Sequence, residues 1–185
     1  MKFQAMIILF VVIGCVNNIS ANEAITNKNW LVHPKIKEIR QIYKDISKLN
    51  SEDKLNGRYQ NYEYCEPYED TRRELLTERN GTPRYYYQTG GSEDSAVSWH
   101  FYYDGNGNLR FALIEAGAVN NTKIEHRIYF NQKGERIWEI QKKLEGPGYT
   151  FPRENWPLDP IIYNPIGAFE SANKCKKEWT IQLKG

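Results

Sequence analysis

Residues 96–144 read AVSWHFYYDGNGNLRFALIEAGAVNNTKIEHRIYFNQKGERIWEIQKKL, and this stretch decides the fold. Aromatic and β-branched residues alternate with polar ones at a period of two, the spacing that puts every second side chain on the same side of a strand. Asp104-Gly105-Asn106-Gly107, Asn120-Asn121 and Asn131-Gln132-Lys133-Gly134 interrupt the alternation. These residue types tolerate a positive φ, which tight hairpins between right-twisted strands need. Strands are therefore expected over 96–104, 109–118, 122–130 and 136–144, joined as an antiparallel meander. Upstream the same pattern predicts strands over 58–65, 71–79 and 84–89, with turns at Asn80-Gly81 and Gly90-Gly91, and a last strand is expected near Glu178 to Leu183.

Counting back from the turns gives a register. If Val119 faces Thr122 across Asn120-Asn121, then Glu115 faces His126 and Leu113 faces Ile128. The flanking hairpins set Tyr103 against Leu109, Phe101 against Phe111, Trp99 against Leu113, Ile128 against Trp138 and His126 against Ile140. One strongly apolar face results, and it is the face expected against a helix or lining a concavity. Glu115 and His126 are its polar exceptions, a carboxylate beside an imidazole, which serves either as an acid–base pair or as a satisfied cross-strand contact. Trp99 and Trp138 join them as candidate ligand-binding residues, since indole combines apolar area with a polar tip. Ser98, His100, Tyr102, Arg110, Glu125 and Arg127 fall on the other face.

A short echo runs through the meander. Tyr102-Tyr103-Asp104-x-x-Gly107-x-Leu109-x-Phe111 matches Tyr129-Phe130-Asn131-x-x-Gly134-x-Arg136-x-Trp138. The pattern resembles aromatic-plus-turn hairpin repeats such as YD and MORN units, which implies shared turn chemistry.

Ahead of the strands, Ile36, Ile39, Ile42, Tyr43, Ile46 and Leu49 recur at steps of three and four, the signature of an amphipathic helix. Pro34 suits its first turn and Asn50-Ser51-Glu52-Asp53 marks its exit. The expected architecture over 34–185 is one α+β domain, the N-terminal helix packed on a curved antiparallel meander of six to eight strands. At fold level this resembles cystatin-like or NTF2-like layouts. Residues 22–33 are expected as a flexible lead-in with His33 exposed. The stretch from Gly146 to Lys174 carries Pro147, Pro152, Pro157, Pro160 and Pro165. It is expected to loop out, with Phe151, Trp156, Ile161, Ile162 and Tyr163 either capping the core or docking a partner.

Residues 1–21 have the form of an export signal: one lysine, an apolar run from Met6 to Val16, and a polar tail ending at Ala21. Cleavage after Ala21 would release a periplasmic or secreted chain starting at Asn22. Val12-Ile13-Gly14-Cys15 resembles the lipobox of bacterial lipoproteins, which implies an envelope lipoprotein with Cys15 lipidated. Without the signal, the basic count falls from 25 to 24 against 23 acidic residues. So balanced a charge argues against a general nucleic-acid binder and leaves a lipid anchor as the route to a membrane. Cys65 and Cys175 then remain as an even pair in an oxidising compartment, expected as a disulfide. No second Cys or His sits at ligand spacing from either, so neither a metal nor another cofactor is expected. Asn80-Gly81-Thr82 and Asn120-Asn121-Thr122 fit N-glycosylation sequons and also read as plain hairpin turns.

The absence of a nucleophile set or cofactor motif favours an exported, non-enzymatic binding protein for an unknown small molecule, peptide or protein. The alternatives are an inhibitor or immunity protein against an envelope-acting enzyme, and a hydrolase-like enzyme using Glu115 and His126.

Overall fold

His33 starts the helix from an unexpected position. Its backbone is extended (φ −62°, ψ 132°), its Nδ1 accepts from the Lys35 N–H at 3.2 Å, and Pro34 occupies the first turn, where a missing N–H costs nothing. The computed structural model describes residues 20–63, 70–91, 93–148, 161–171 and 176–183. Cys15, Cys65, Cys175, Phe151 and Trp156 lie outside them. His33 is completely buried rather than exposed, with Nε2 3.0 Å from the Glu23 carbonyl. The lead-in forms a hydrogen-bonded set of turns. The Asn29 side chain accepts from Thr26 N at 2.8 Å and donates to the Ala24 carbonyl at 2.9 Å, and Trp30 packs on Tyr129 at 6.3 Å between ring centroids.

Helix α1 spans Pro34–Ser51 and buries Ile36, Ile39 and Ile46. Each contributes about 1.5 to 3 kcal/mol relative to exposure, an upper figure because unfolded chains already bury some surface. The strands are β1 Asn56–Glu63, β2 Asp70–Thr77, β3 Pro83–Gly91, β4 Ser95–Tyr103, β5 Leu109–Ala118, β6 Lys123–Phe130 and β7 Arg136–Glu145. A short helix α2, Pro165–Glu170, precedes β8, Lys176–Leu183. The layout is α+β, with one antiparallel eight-stranded sheet in the order β7-β6-β5-β4-β3-β2-β1-β8. The last strand thus returns beside the first, pairing Glu63 with Lys176.

One turn geometry recurs. At Glu78, Asp104, Ala118 and Asn131 the N–H donates to the carbonyl four residues on, and the carbonyl accepts from the N–H three residues on. That third residue has positive φ in every case: Gly81 (89°), Gly107 (78°), Asn121 (64°) and Gly134 (79°). These are three-residue loops, a turn closed by a left-handed residue. The two-residue turn expected at Asn120-Asn121 is therefore one residue short, and a one-residue slip moves every side chain to the other face. Glu115 pairs with Glu125 and His126 with Ile114.

The flanking hairpins start as expected, at Tyr103–Leu109 and Phe130–Arg136. Each then shifts at a bulge, so that Tyr102 meets Phe111, Trp99 meets Ile114, Tyr129 meets Trp138 and Ile128 meets Glu139. The β2–β3 hairpin does the same at Leu76–Tyr85. The extra residues are Arg84, Arg110 and Ile137, each six positions after the start of its turn. The echo thus has a third copy, Leu76-Thr77-Glu78-x-x-Gly81-x-Pro83-x-Tyr85. Arg84 Nε donates to the Tyr103 carbonyl and Arg110 Nε to the Phe130 carbonyl, both at 3.2 Å, and each guanidinium also meets the acid of its own turn, Glu78 or Asp104.

Both faces of the sheet are covered. On one, α1 lies over a row that crosses six strands in register, Leu76, Tyr85, Tyr102, Phe111, Tyr129 and Trp138. The other face carries Leu75, Tyr86, Trp99, Phe101, Ala112, Ile114 and Ile128, packed against Phe169 of α2 and Ile161 and Ile162 before it. These residues of the Pro-rich excursion cap the core. Arg58 lies 4.4 Å over the Phe169 ring and pairs with Glu170, and Tyr103 Oη donates to the Ile162 carbonyl at 2.7 Å.

Candidate functional site

On the helix-covered face, the row beside the aromatic one runs Tyr59, Glu74, Tyr87, His100, Leu113, Arg127 and Ile140 across seven strands. The alternation that buries Trp99, Phe101, Ile114 and Ile128 on one side necessarily turns these mixed residues to the other. Helix α1 covers the aromatic row but not all of this second row, and a cavity of about 360 Å³ opens where the two meet. Its floor is Phe111, Leu113 and Tyr129, its helix wall is Ile39, Arg40, Tyr43 and Lys44, and Arg127 closes one side. Ligand cavities of small molecules begin at about this size, about 300 Å³. Tyr43 is 42 % exposed at the rim and sets its ring 5.0 Å from that of Tyr102.

The electrostatics of the cavity are lopsided, with three cations and no carboxylate among its lining residues. Arg127 donates to Glu125 at 2.8 Å, which holds its guanidinium above the ordinary arginine range. Arg40 lies 5.2 Å over the Trp30 ring and donates to the Leu31 carbonyl at 3.4 Å.

Next to Leu113 stands a polar chain. Tyr85 Oη lies 2.8 Å from His100 Nδ1, and His100 Nε2 lies 3.3 Å from Glu115 Oε2. The consistent assignment has Tyr85 donating to Nδ1 and an Nε2–H donating to the carboxylate, which requires a neutral imidazole. Burial pushes the His100 pKa down to about 4, which keeps it neutral at pH 7. The Glu115 carboxylate would favour the cation, yet its side chain is half exposed and screened by water, so desolvation wins. Burial likewise raises the pKa of Tyr85, Tyr87 and Tyr102, keeping the hydroxyls protonated, and raises that of Glu74 on β2. Such an arrangement can present hydrogen bonds and hold a proton. No group of three or more metal-binding side chains occurs among the described residues.

The sheet divides the four candidate ligand-binding residues into two pairs. Glu115 and Trp138 lie on the helix-covered face, Trp138 half-buried at the end of the aromatic row opposite Tyr129. His126 and Trp99 lie on the opposite face. Trp99 is 1 % exposed within the core, and His126, equally enclosed, has Nε2 3.3 Å from Glu139 of the neighbouring β7. The Glu115–His126 pairing is thus replaced by two separate pairings, Glu115 with His100 and His126 with Glu139. Sequence reasoning did not select His100, Arg40 or Lys44. His100 stands beside Glu115 because of the bulge at Arg110 in the β4–β5 hairpin, which the alternation does not mark; the two helix cations carried no signal beyond their place on an otherwise solvated face.

Compared with protein-family models, with curated proteins and with solved structures, the chain matches none.

Proposed function

We propose that the chain is an exported, non-enzymatic binding protein that holds a small molecule or peptide between α1 and strands β5 and β6. The observation that carries this reading is the cavity of about 360 Å³, with an apolar and aromatic floor and charged groups confined to its walls. A helix laid over an antiparallel sheet with a concavity between them is also the feature that the cystatin-like or NTF2-like analogy draws on, and an analogy of layout alone assigns no ligand. Export is supported by the lead-in: its hydrogen bonds to Asn29 and His33 begin at Glu23, so a cut after Ala21 preserves them. Lipidation at Cys15 would preserve them as well, with the intervening residues as a tether.

Leu113→Trp fills the floor and tests the site. Native mass spectrometry of protein purified from its host should find a bound species on the wild type that is missing from the variant. An empty wild-type protein, or the same species on both, would rule out the cavity as the binding site. The intact mass in the same spectrum separates a chain starting at Asn22 from one lipidated at Cys15.

A second reading is favoured by the Tyr85–His100–Glu115 chain: acid–base chemistry at Glu115, with His100 in the part first given to His126. It requires that Glu115→Gln abolish an activity while leaving the unfolding midpoint unchanged.

A further inference from the structure

We infer that the occupant of the α1–sheet cavity is a small amphipathic organic carboxylate, its apolar body on Phe111, Leu113 and Tyr129 and its head toward Arg40 and Lys44. The inference rests on the cavity being a binding site and adds the chemistry of what binds. Three cations line the space and no acid does. Glu125 already matches Arg127, whereas neither Arg40 nor Lys44 has an ion pair among the described residues. An empty site of this kind keeps two like charges on neighbouring turns of α1, positions 40 and 44, where repulsion at four residues' separation works against the helix. An anion between them removes that repulsion.

The identity of the cations narrows the head group. Arg40 has its guanidinium set against the Trp30 ring, with only one modest bond to a backbone carbonyl, so its planar fork is oriented and still has donors free. A fork of that shape fits the two oxygens of a carboxylate, and a lysine one turn on adds a point charge. The body must be apolar and small. Ile39, Phe111, Leu113 and Tyr129 form the inner surface, and about 360 Å³ excludes a folded peptide segment or a whole lipid. The polar chain of His100 adjoins the Leu113 side of the floor rather than the cationic end. Its two ring nitrogens are already engaged by Tyr85 and Glu115, so it offers the occupant no polar contact.

The test uses three probes of equal chain length, each below its micellar concentration: decanoate, decanol and decyltrimethylammonium. Titration calorimetry with the full mature chain should show decanoate binding about tenfold or more tighter than decanol, as expected for a charge-assisted contact, and the cation weakest. Arg40→Gln with Lys44→Glu should cost decanoate about tenfold and leave decanol within about twofold, because neither side chain forms part of the apolar floor. Leu113→Trp should abolish all binding. Decanol and decanoate binding alike, both lost in Leu113→Trp, would overturn the carboxylate assignment and leave the cavity as an apolar binding site. Binding of any probe that Leu113→Trp does not affect, or no binding at all, would overturn the assignment together with the site beneath it. Circular dichroism of Leu113→Trp checks its fold; should it fail, Leu113→Phe gives the same comparison with a smaller filler.

Discussion

The buried His100 should make this protein lose stability as the pH falls through the mildly acid range. The imidazole is enclosed by Tyr85, Tyr87 and Glu115, with its side chain 18 % exposed, and burial lowers its pKa from 6.5 to about 4. In the unfolded chain it titrates near 6.5. Above that pH the ring is neutral in both states and contributes no pH dependence. As pH falls below 6.5 the unfolded state takes up a proton that the folded state refuses, and stability drops until the folded ring also protonates near pH 4. At about 1.4 kcal/mol per unit, the window of two and a half units amounts to about 3 kcal/mol, a large fraction of a typical domain's stability. Glu74 moves the other way: burial raises its pKa, so its folded state gains from protonation in part of the same window. The measurement therefore compares wild type with His100→Asn, whose amide can replace Nδ1 as the acceptor for Tyr85 without taking a proton. Urea unfolding at half-unit steps from pH 7 to pH 4 should show the wild type losing about 3 kcal/mol more than the variant. Proton NMR of the ring should place its midpoint near 4. A midpoint at 6.5 or above, with parallel pH profiles for the two proteins, would show that the Glu115 carboxylate and not burial governs the ring, and the reasoning would fail.

A double-mutant cycle between His126 and Glu139 should give a measurable coupling, about 0.5 kcal/mol or more, while the cycle between His126 and Glu115 gives none; the reverse result would restore the discarded register. Phe169→Ala should cost about 3 to 5 kcal/mol in denaturant unfolding, because the ring is fully enclosed between the sheet and Arg58 and leaves a cavity behind, and a loss under 1 kcal/mol would mean that α2 is not a fixed cap. Gly146→Ala should destabilise strongly, since a Cβ there would sit 2.6 Å from the Asn121 carbonyl and Thr122 backbone at a φ of +74°; an unchanged melting temperature would contradict that packing. Non-reducing peptide mapping of protein made in an oxidising compartment should recover Cys65 joined to Cys175. The Glu63–Lys176 pairing brings the chain within two residues of one and one residue of the other, and recovery of two free thiols would refute the bond.

Strand and helix positions were legible because period-two alternation and the three-and-four spacing of Ile36, Ile39 and Ile46 are local properties. Faces were not legible to the same degree, since a face depends on the parity of every loop and bulge before it. Asn121 in a left-handed conformation lengthens one loop by a residue, and Arg84, Arg110 and Ile137 each add one to a strand. These small insertions carried His126 and Trp99 to the side away from Glu115 and brought His100 beside it. The buried His33 escaped notice for a different reason. A histidine serving as a helix cap looks in sequence like any polar residue before a proline, and only its contact with the Glu23 carbonyl ten residues back accounts for its burial.

The repeated hairpins also give the sheet a polarity that its antiparallel pairing conceals. Arg84 clasps the final carbonyl of β4 and Arg110 that of β6, so each hairpin is fastened by the one before it and never by the one after. In the last copy along the chain the clasp position holds Ile137, and no further strand follows β7 in the order. Damage accordingly travels one way: opening the Gly107 turn frees the clasp of Arg84 and misdirects that of Arg110, whereas opening the Gly134 turn frees only Arg110. The isoleucine acts as a terminator, and a chain with arginine at that position would have a half-buried cation reaching for a carbonyl that no strand supplies.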